Sequence, residues 1–214
     1  MRDHKRLLEQ DRGPNTGGMG VIGPLPQAHD EMFMSKLKET VFLPALAHMK
    51  KSGCPFRGAL FAGFMVNDAD VRLLEFNARF GDPETQALMF GSDIDLFPCL
   101  LAIAEGGKLP RQEDALWRMK PTAAITMAAR GYPDVPVKGD PIQVGEFDQD
   151  DGMIFYAGVA RAQNGQLATD GGRILTCTAR AETLQMAIQK SYDIMSHISF
   201  YGAQFRTDIG RTLF

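Results

Sequence analysis

The stretch from Val71 to Phe80 constrains this chain more than any other. Leu74, Phe76, Ala78 and Phe80 alternate with Glu75, Asn77 and Arg79. Successive side chains of a strand point to opposite faces. A strand here therefore has one apolar stripe and one row carrying a carboxylate, a carboxamide and a guanidinium. A sheet apolar on one face and polar on the other is usually antiparallel. The apolar stretch before it, Phe56 to Val66, reads as a second strand. Asn67-Asp68-Ala69-Asp70 is short enough to close the two into an antiparallel hairpin.

Helices are expected on either side of that hairpin. Asp30 reads as an N-cap, with Glu31 in the first turn, and Phe33, Leu37, Val41 and Ala45 recur at helical spacing to about Lys51. Ser52-Gly53 ends that helix. Gly81-Asp82-Pro83 leads into a short helix from about Glu84 to Phe90, with proline near its first position. Another runs from about Ile94 to Glu105 and stops at Gly106-Gly107. Residues 107–116 are polar and mark a boundary. Beyond it, Thr122 to Ala129, Met153 to Arg161 and Arg173 to Ala179 read as strands. Ala181 to Ser196 reads as a helix through Leu184, Ile188, Tyr192 and Met195. Residues 1–29 read mostly as loop. The fold class is α+β in two domains. Residues 1–110 form an antiparallel sheet with helices, and 117–214 a smaller α+β unit.

The bulk numbers exclude several functions. With 44% hydrophobic residues, 23% charged residues and a net charge of -3, the chain is globular and has no basic footprint for nucleic acid. Cys54, Cys99 and Cys177 are far apart and lack CxxC spacing, which argues against a zinc site or a disulfide framework. Each reads as a small buried residue in a reducing cytoplasm. No apolar run approaches the ~20 residues of a spanning helix, so no membrane partner is expected. The opening residues, Met1 to Arg6, are charged and no apolar signal segment follows. His4, His29, His48 and His197 show no triad or metal spacing and read as surface or packing residues.

Two stretches can carry chemistry. Glu75 and Asn77 offer hard oxygens side by side, the kind Mg²⁺ takes together with substrate phosphates and water. Arg79 can clamp a phosphate or carboxylate through two N–H groups. The same row also fits the solvent face of an amphipathic strand. Asp82 and Glu84 follow on a tight turn, where a helix start offers free N–H groups to an anion. The second stretch is Gly13-Pro14-Asn15-Thr16-Gly17-Gly18-Met19-Gly20. Its glycines let backbone N–H groups approach a phosphate or carboxylate, although a surface loop has the same composition. It is neither a Walker A loop nor a dinucleotide fingerprint. Asp3-His4-Lys5-Arg6 is either a solvated charge cluster or an anion site.

Taken together, Asp3-His4-Lys5-Arg6, the loop at 13–20 and Glu75 through Gln86 closely resemble the glycinamide ribonucleotide synthetase (phosphoribosylamine–glycine ligase) family. Gly131-Tyr132-Pro133, Gly158, Asn164, Gly171-Gly172-Arg173 and Asp208-Ile209-Gly210 extend the resemblance over essentially the whole chain. It implies the C-terminal part of an ATP-grasp domain followed by a small α+β C-terminal domain. It also implies a cytoplasmic ligase of purine synthesis. ATP phosphorylates the glycine carboxylate, and the amine of phosphoribosylamine attacks the acyl phosphate. By position, Glu75 and Asn77 match the family's ligands for Mg²⁺ (or Mn²⁺). Asn15, Thr16, Gly17 and Gly18 match its substrate loop. The resemblance puts Arg79, Asp82, Pro83 and Glu84 around the phosphates and glycine, with Arg79 and Asp82 in catalytic roles.

Family members are about twice as long, which implies a missing N-terminal half as a partner and a chain inactive alone. The glycine-rich loop, arriving with no scaffold before it, agrees with sequence missing upstream. Nothing acidic lies between Pro55 and Val66 to serve as a second metal carboxylate. A different reading is a non-catalytic binding or scaffolding module that pairs with another chain. Its residues 23–52 and 94–106 would expose apolar surface. A third is another ATP-grasp ligase of purine synthesis or carboxylation.

Overall fold

A computed structural model describes residues 1–67, 70–109 and 119–211. Along the chain the elements begin with β1 (Arg2–Asp3), β2 (Arg6–Leu8), β3 (Arg12–Asn15) and β4 (Gly20–Gly23). Next come α1 (Glu31–Leu37), α2 (Leu43–Lys51), β5 (Phe61–Val66), β6 (Val71–Asn77), α3 (Glu84–Gly91) and α4 (Phe97–Glu105). The remainder is β7 (Thr122–Ala128), β8 (Gln143–Val144), β9 (Gly152–Tyr156), β10 (Val159–Arg161), β11 (Leu167–Thr169), β12 (Arg173–Arg180), α5 (Leu184–Ser196) and β13 (Ile198–Ser199).

By their contacts these elements form two compact units. One comprises Met1–Pro24, Asp82–Asp93 and the described residues from Met119 onward; the other comprises Leu25–Gly81 and residues 94–109. The reason lies in strand pairing. β1 and β4 join the sheet of β7, so the start of the chain belongs with its end. The expected boundary at residues 107–116 lies, from residue 110 on, outside the described residues.

The first unit is built on an antiparallel sheet in the order β1-β4-β7-β12-β9. β7 and β12 are buried along nearly their whole length. Their sequences, TAAITMA and RILTCTAR, lack clean alternation because both faces are covered. On one face Ala123, Ile125 and Met127 pack with Ala187, Ile194 and Met195 of α5. On the other, Ala124 and Val21 pack with Ala87 of α3. Each large aliphatic side chain buried here contributes about 1.5–3 kcal/mol. The threonines do not leave hydroxyls stranded throughout: those of Thr126 and Thr176 meet at 3.3 Å. The α5 helix starts where Thr183 accepts from Met186 N–H.

The second unit holds the long helix and the hairpin. Asp30 caps α1 through the Phe33 N–H at 3.0 Å, as read from the sequence. The helical run from Glu31 to Lys51 is continuous but contains a π-helical turn at Lys38–Phe42. β5 and β6 pair as an antiparallel hairpin, with Gly63 opposite Glu75 and Phe61 opposite Asn77. Phe42 stands edge-to-face against Phe64 and Phe76, at 6.2 and 6.1 Å between centroids. Leu37, 8% exposed, is the one buried large apolar side chain of this unit among the described residues.

Other sequence expectations need correction. Residues 1–29 contain four strands rather than loop. The Met153–Arg161 strand breaks into β9 and β10, which belong to different sheets. β5 starts at Phe61 rather than Phe56, and β6 stops at Asn77 rather than Phe80. Cys177 is buried as expected, whereas Cys54 is exposed and Cys99 half-buried.

Candidate functional site

The candidate residues fall on both units. In the first unit, β2 and β3 form a short hairpin, with Arg6 opposite Asn15. The chain then enters the loop at 16–19. Thr16 N–H and its hydroxyl both donate to Lys5 O at 2.8 Å. Gly18 N–H donates to the Thr16 hydroxyl at 3.0 Å, and Met19 N–H to His4 O at 2.9 Å. Gly17 N–H donates to the Tyr132 hydroxyl at 2.9 Å. The loop is therefore a fixed shape. Gly18 has φ +118, and a Cβ there would lie 2.8 Å from Pro83 Cδ and 2.9 Å from Asp3 Oδ1. Only glycine lets the loop come this close to both.

Asp3 and Glu84 face this same region. Lys5 Nζ lies 2.7 Å from Asp3 Oδ2. Burial raises the Asp3 carboxyl above its ordinary value, against the pull of Lys5 and Arg173. Burial also raises Glu84, and the charge of Asp3 adds to it. Two carboxylates short of water and near each other favour a bound cation or amine, or a shared proton. Asp82 is half-exposed. Its carboxylate accepts from Gln86 Nε2 at 3.0 Å and pairs with Arg173 Nη2 at 2.9 Å. Pro83 is buried and joins Asp82 to α3.

In the second unit, Glu75 and Asn77 share one face of β6, as alternation requires. Asn77 Nδ2 donates to Glu75 Oε1 at 3.2 Å, leaving the Asn77 carbonyl oxygen and a Glu75 oxygen for other partners. Arg79 does not extend that row. The strand has ended, and its guanidinium donates to Phe80 O at 2.8 Å. Among the described residues no group of three His, Cys, Asp or Glu is arranged to hold a metal. A cation here would take two hard oxygens from Glu75 and Asn77 and the rest from phosphate and water, which suits Mg²⁺.

Sequence reasoning missed Arg173 and Tyr132 as site residues. They lie far along the chain from the loop they hold. Their signal was present in the motifs Gly131-Tyr132-Pro133 and Gly171-Gly172-Arg173, read only as marks of resemblance. His4, expected on the surface or in packing, is buried. Its Nδ1 is 3.1 Å from Gly20 O, and Gly210 N–H reaches its Nε2 at 3.3 Å.

An antiparallel sheet with helices, a glycine-rich loop and an acid–amide strand make this an α+β protein. Residues 1–85 match the phosphoribosylglycinamide synthetase ATP-grasp (A) domain, and residues 122–212 match the C domain of the same synthetase. The chain is 41% identical over 210 residues to a phosphoribosylamine–glycine ligase of Caulobacter vibrioides, and 42% identical over 210 residues to that of Ralstonia nicotianae. Each alignment covers 98% of this chain and 49% of the relative. The crystal structure of the Thermotoga maritima phosphoribosylamine–glycine ligase superposes with a TM-score of 0.82 at 38% identity, over 97% of this chain and 50% of that one. Biotin carboxylase from Campylobacter jejuni superposes with a TM-score of 0.58 at 19% identity, over 87% of this chain and 40% of that one, a likeness of fold alone. The chain belongs to the phosphoribosylglycinamide synthetase family. It spans about half the length of the curated relatives it matches.

Proposed function

We propose that this chain supplies the metal- and substrate-binding part of a cytoplasmic phosphoribosylamine–glycine ligase of de novo purine biosynthesis. The reaction converts ATP, glycine and 5-phosphoribosylamine to glycinamide ribonucleotide, ADP and phosphate, through glycyl phosphate. The observation that carries this reading is the Glu75–Asn77 pair on one strand face. Glu75 and Asn77 hold Mg²⁺ (or Mn²⁺), which when bound draws charge from the nucleotide phosphates. Transfer of a phosphoryl group to a carboxylate brings two anions together, so catalysis is chiefly positioning and neutralisation. Arg79, released from Phe80 O, supplies a cation to the phosphates, and Asp82 orients the reacting groups. Asn15, Thr16, Gly17, Gly18, Pro83 and Glu84 bind the glycine and the sugar phosphate. The half-buried carboxyls of Asp3 and Glu84 fit an amine better than a phosphate.

The partner of this reading is a chain or segment carrying the family's other half. Exposed Met65, Leu74, Phe97, Leu100 and Leu101 in the second unit favour such a covering. The same surface supports the second reading, a non-catalytic module pairing with another chain. Both readings are tested by mixing the chain with the complementary half of a relative and following phosphate release dependent on glycine and phosphoribosylamine. The ligase reading expects no turnover from the chain alone, turnover from the mixture, and its loss with Glu75→Ala at unchanged circular dichroism. A complex that forms without turnover favours the module. Full turnover with Glu75→Ala removes Glu75 from the metal site.

A further inference from the structure

Arg173 opens β12, where the register with β7 slips between Arg173 and Leu175. Such irregularities re-aim a side chain out of the ladder. Here the guanidinium reaches into the glycine-rich loop. Its Nη1 donates to Gly17 O at 2.9 Å and to Asp82 O at 2.7 Å, with Gly18 O at 3.5 Å. Its Nη2 pairs with the Asp82 carboxylate at 2.9 Å. One side chain thus ties the loop at 16–19 to the turn that starts α3. A planar fork with five N–H groups can serve acceptors in several directions, which an ammonium cannot do with the same geometry. The fit is mutual. A Cβ on Gly17 would lie 3.0 Å from Arg173 Cζ, and one on Gly172 would lie 2.6 Å from the Tyr132 ring that holds Gly17 from its N–H side.

We propose that Arg173 is a positioning residue that sets the glycine-rich loop against the Asp82–Glu84 turn and so fixes the site for the non-nucleotide substrates. The substrate consequence rests on the ligase reading; the positioning does not. The loop and turn that Arg173 ties together carry the residues assigned above to the glycine and the sugar phosphate, whereas the Mg²⁺-nucleotide candidates, Glu75 and Asn77, stand on β6. Loss of Arg173 is therefore expected to act on the glycine and phosphoribosylamine sites and to spare the nucleotide.

The test has two arms. In the first, amide hydrogen exchange is followed in the whole chain carrying Arg173→Ala. Exchange is expected to rise about tenfold in peptides covering 15–20 and 82–86, as local protection from charge-assisted bonds is lost. Peptides from the interior of β7 and β12 should be unchanged. Arg173→Lys keeps the charge but not the fork, should show a smaller rise in the same peptides, and replaces the alanine variant if that variant does not fold. Unchanged exchange at 15–20, or a rise spread evenly over the sheet, overturns the proposal. In the second arm the variant is joined to the complementary half. The KM for phosphoribosylamine is expected to rise about tenfold while that for ATP stays within about twofold. Equal rises for both substrates overturn the selective role. If the joined wild-type protein has no ligase activity, the ligase reading fails, and the exchange arm alone decides whether Arg173 positions the loop.

Discussion

Gly18 shows how tightly single residues are fixed at this site. Its positive φ and the nearness of Pro83 and Asp3 leave no space for a methyl group. Gly18→Ala is expected to lower stability by about 1–3 kcal/mol, the range for a strained backbone with a steric overlap. Urea unfolding checks this, and a midpoint equal to wild type would show that the loop yields freely. His4 makes a second prediction. Burial pushes its imidazole down to about 4, below its ordinary value of 6.5. The folded form therefore disfavours the proton that the unfolded chain accepts. The resulting stability is fully present above pH 6.5 and is lost as pH falls toward about 4. At ~1.4 kcal/mol per pKa unit the loss is on the order of 3 kcal/mol. Protonation would also turn Nε2 from an acceptor for Gly210 N–H into a competing donor. His4→Gln should flatten the pH dependence of stability between pH 4 and 6.5, measured by denaturant titration; an unaltered slope would assign it to other groups.

At the scale of elements, the β2–β3 hairpin is held from the far end of the chain. Gln10 and Asp11 in its turn both have positive φ, which is uncommon without glycine. Arg206, 2% exposed, compensates by pairing with Asp11 at 2.7 Å and donating to Arg6 O at 3.2 Å. Asp208 receives Arg206 on both oxygens, at 2.7 and 2.9 Å, and accepts Gln10 N–H at 2.7 Å. Burial works against the Asp208 charge, yet these bonds leave its carboxyl below the ordinary value. Arg206→Met leaves the half-buried Asp208 carboxylate without its cation, and the expected loss is about 1.5–3 kcal/mol, with faster amide exchange in residues 6–15. A loss under about 1 kcal/mol would mean that the hairpin holds itself. None of this was legible in the sequence, because the partners are separated by nearly the whole chain. What was legible had local causes. Asp30 declared the first helix through its cap, and α5 through its spacing. The Glu75–Asn77 face followed from strand alternation. β1 to β4 were not legible, since strands of two to four residues are too short to show a period. β4 is also buried at every position, so it shows no polar face. The end of β6 at Asn77 was hidden too, because Ala78 and Phe80 continue the pattern after the backbone has turned away.

For the whole molecule, the two units differ in what they bury. The first has a continuous core through β4, β7, β12 and α5, whereas the second buries a single large apolar side chain among the described residues. Leu74 is 62% exposed and Phe97 67% exposed, on elements that elsewhere in the chain would face a core. Hydrophobic burial is the main force offsetting chain entropy, so a unit with little of it opens at low free energy. Amides of β5 and β6 are therefore expected to exchange at least about a hundredfold faster than those of β7 and β12 in the isolated chain. Denaturant should likewise give two steps, the first reported by the hairpin. Coincident transitions from both units would show that they fold as one cooperative body. The same physics connects stability to function. A partner that covers Leu74 and Phe97 stabilises the second unit by mass action, because it binds the ordered hairpin and not the open one. Ordering that hairpin fixes Glu75 and Asn77 on one face, which a shared cation requires. Slower exchange in β6 on adding the complementary half, with β7 unaffected, is the expected result; protection gained only in the first unit would place the partner elsewhere.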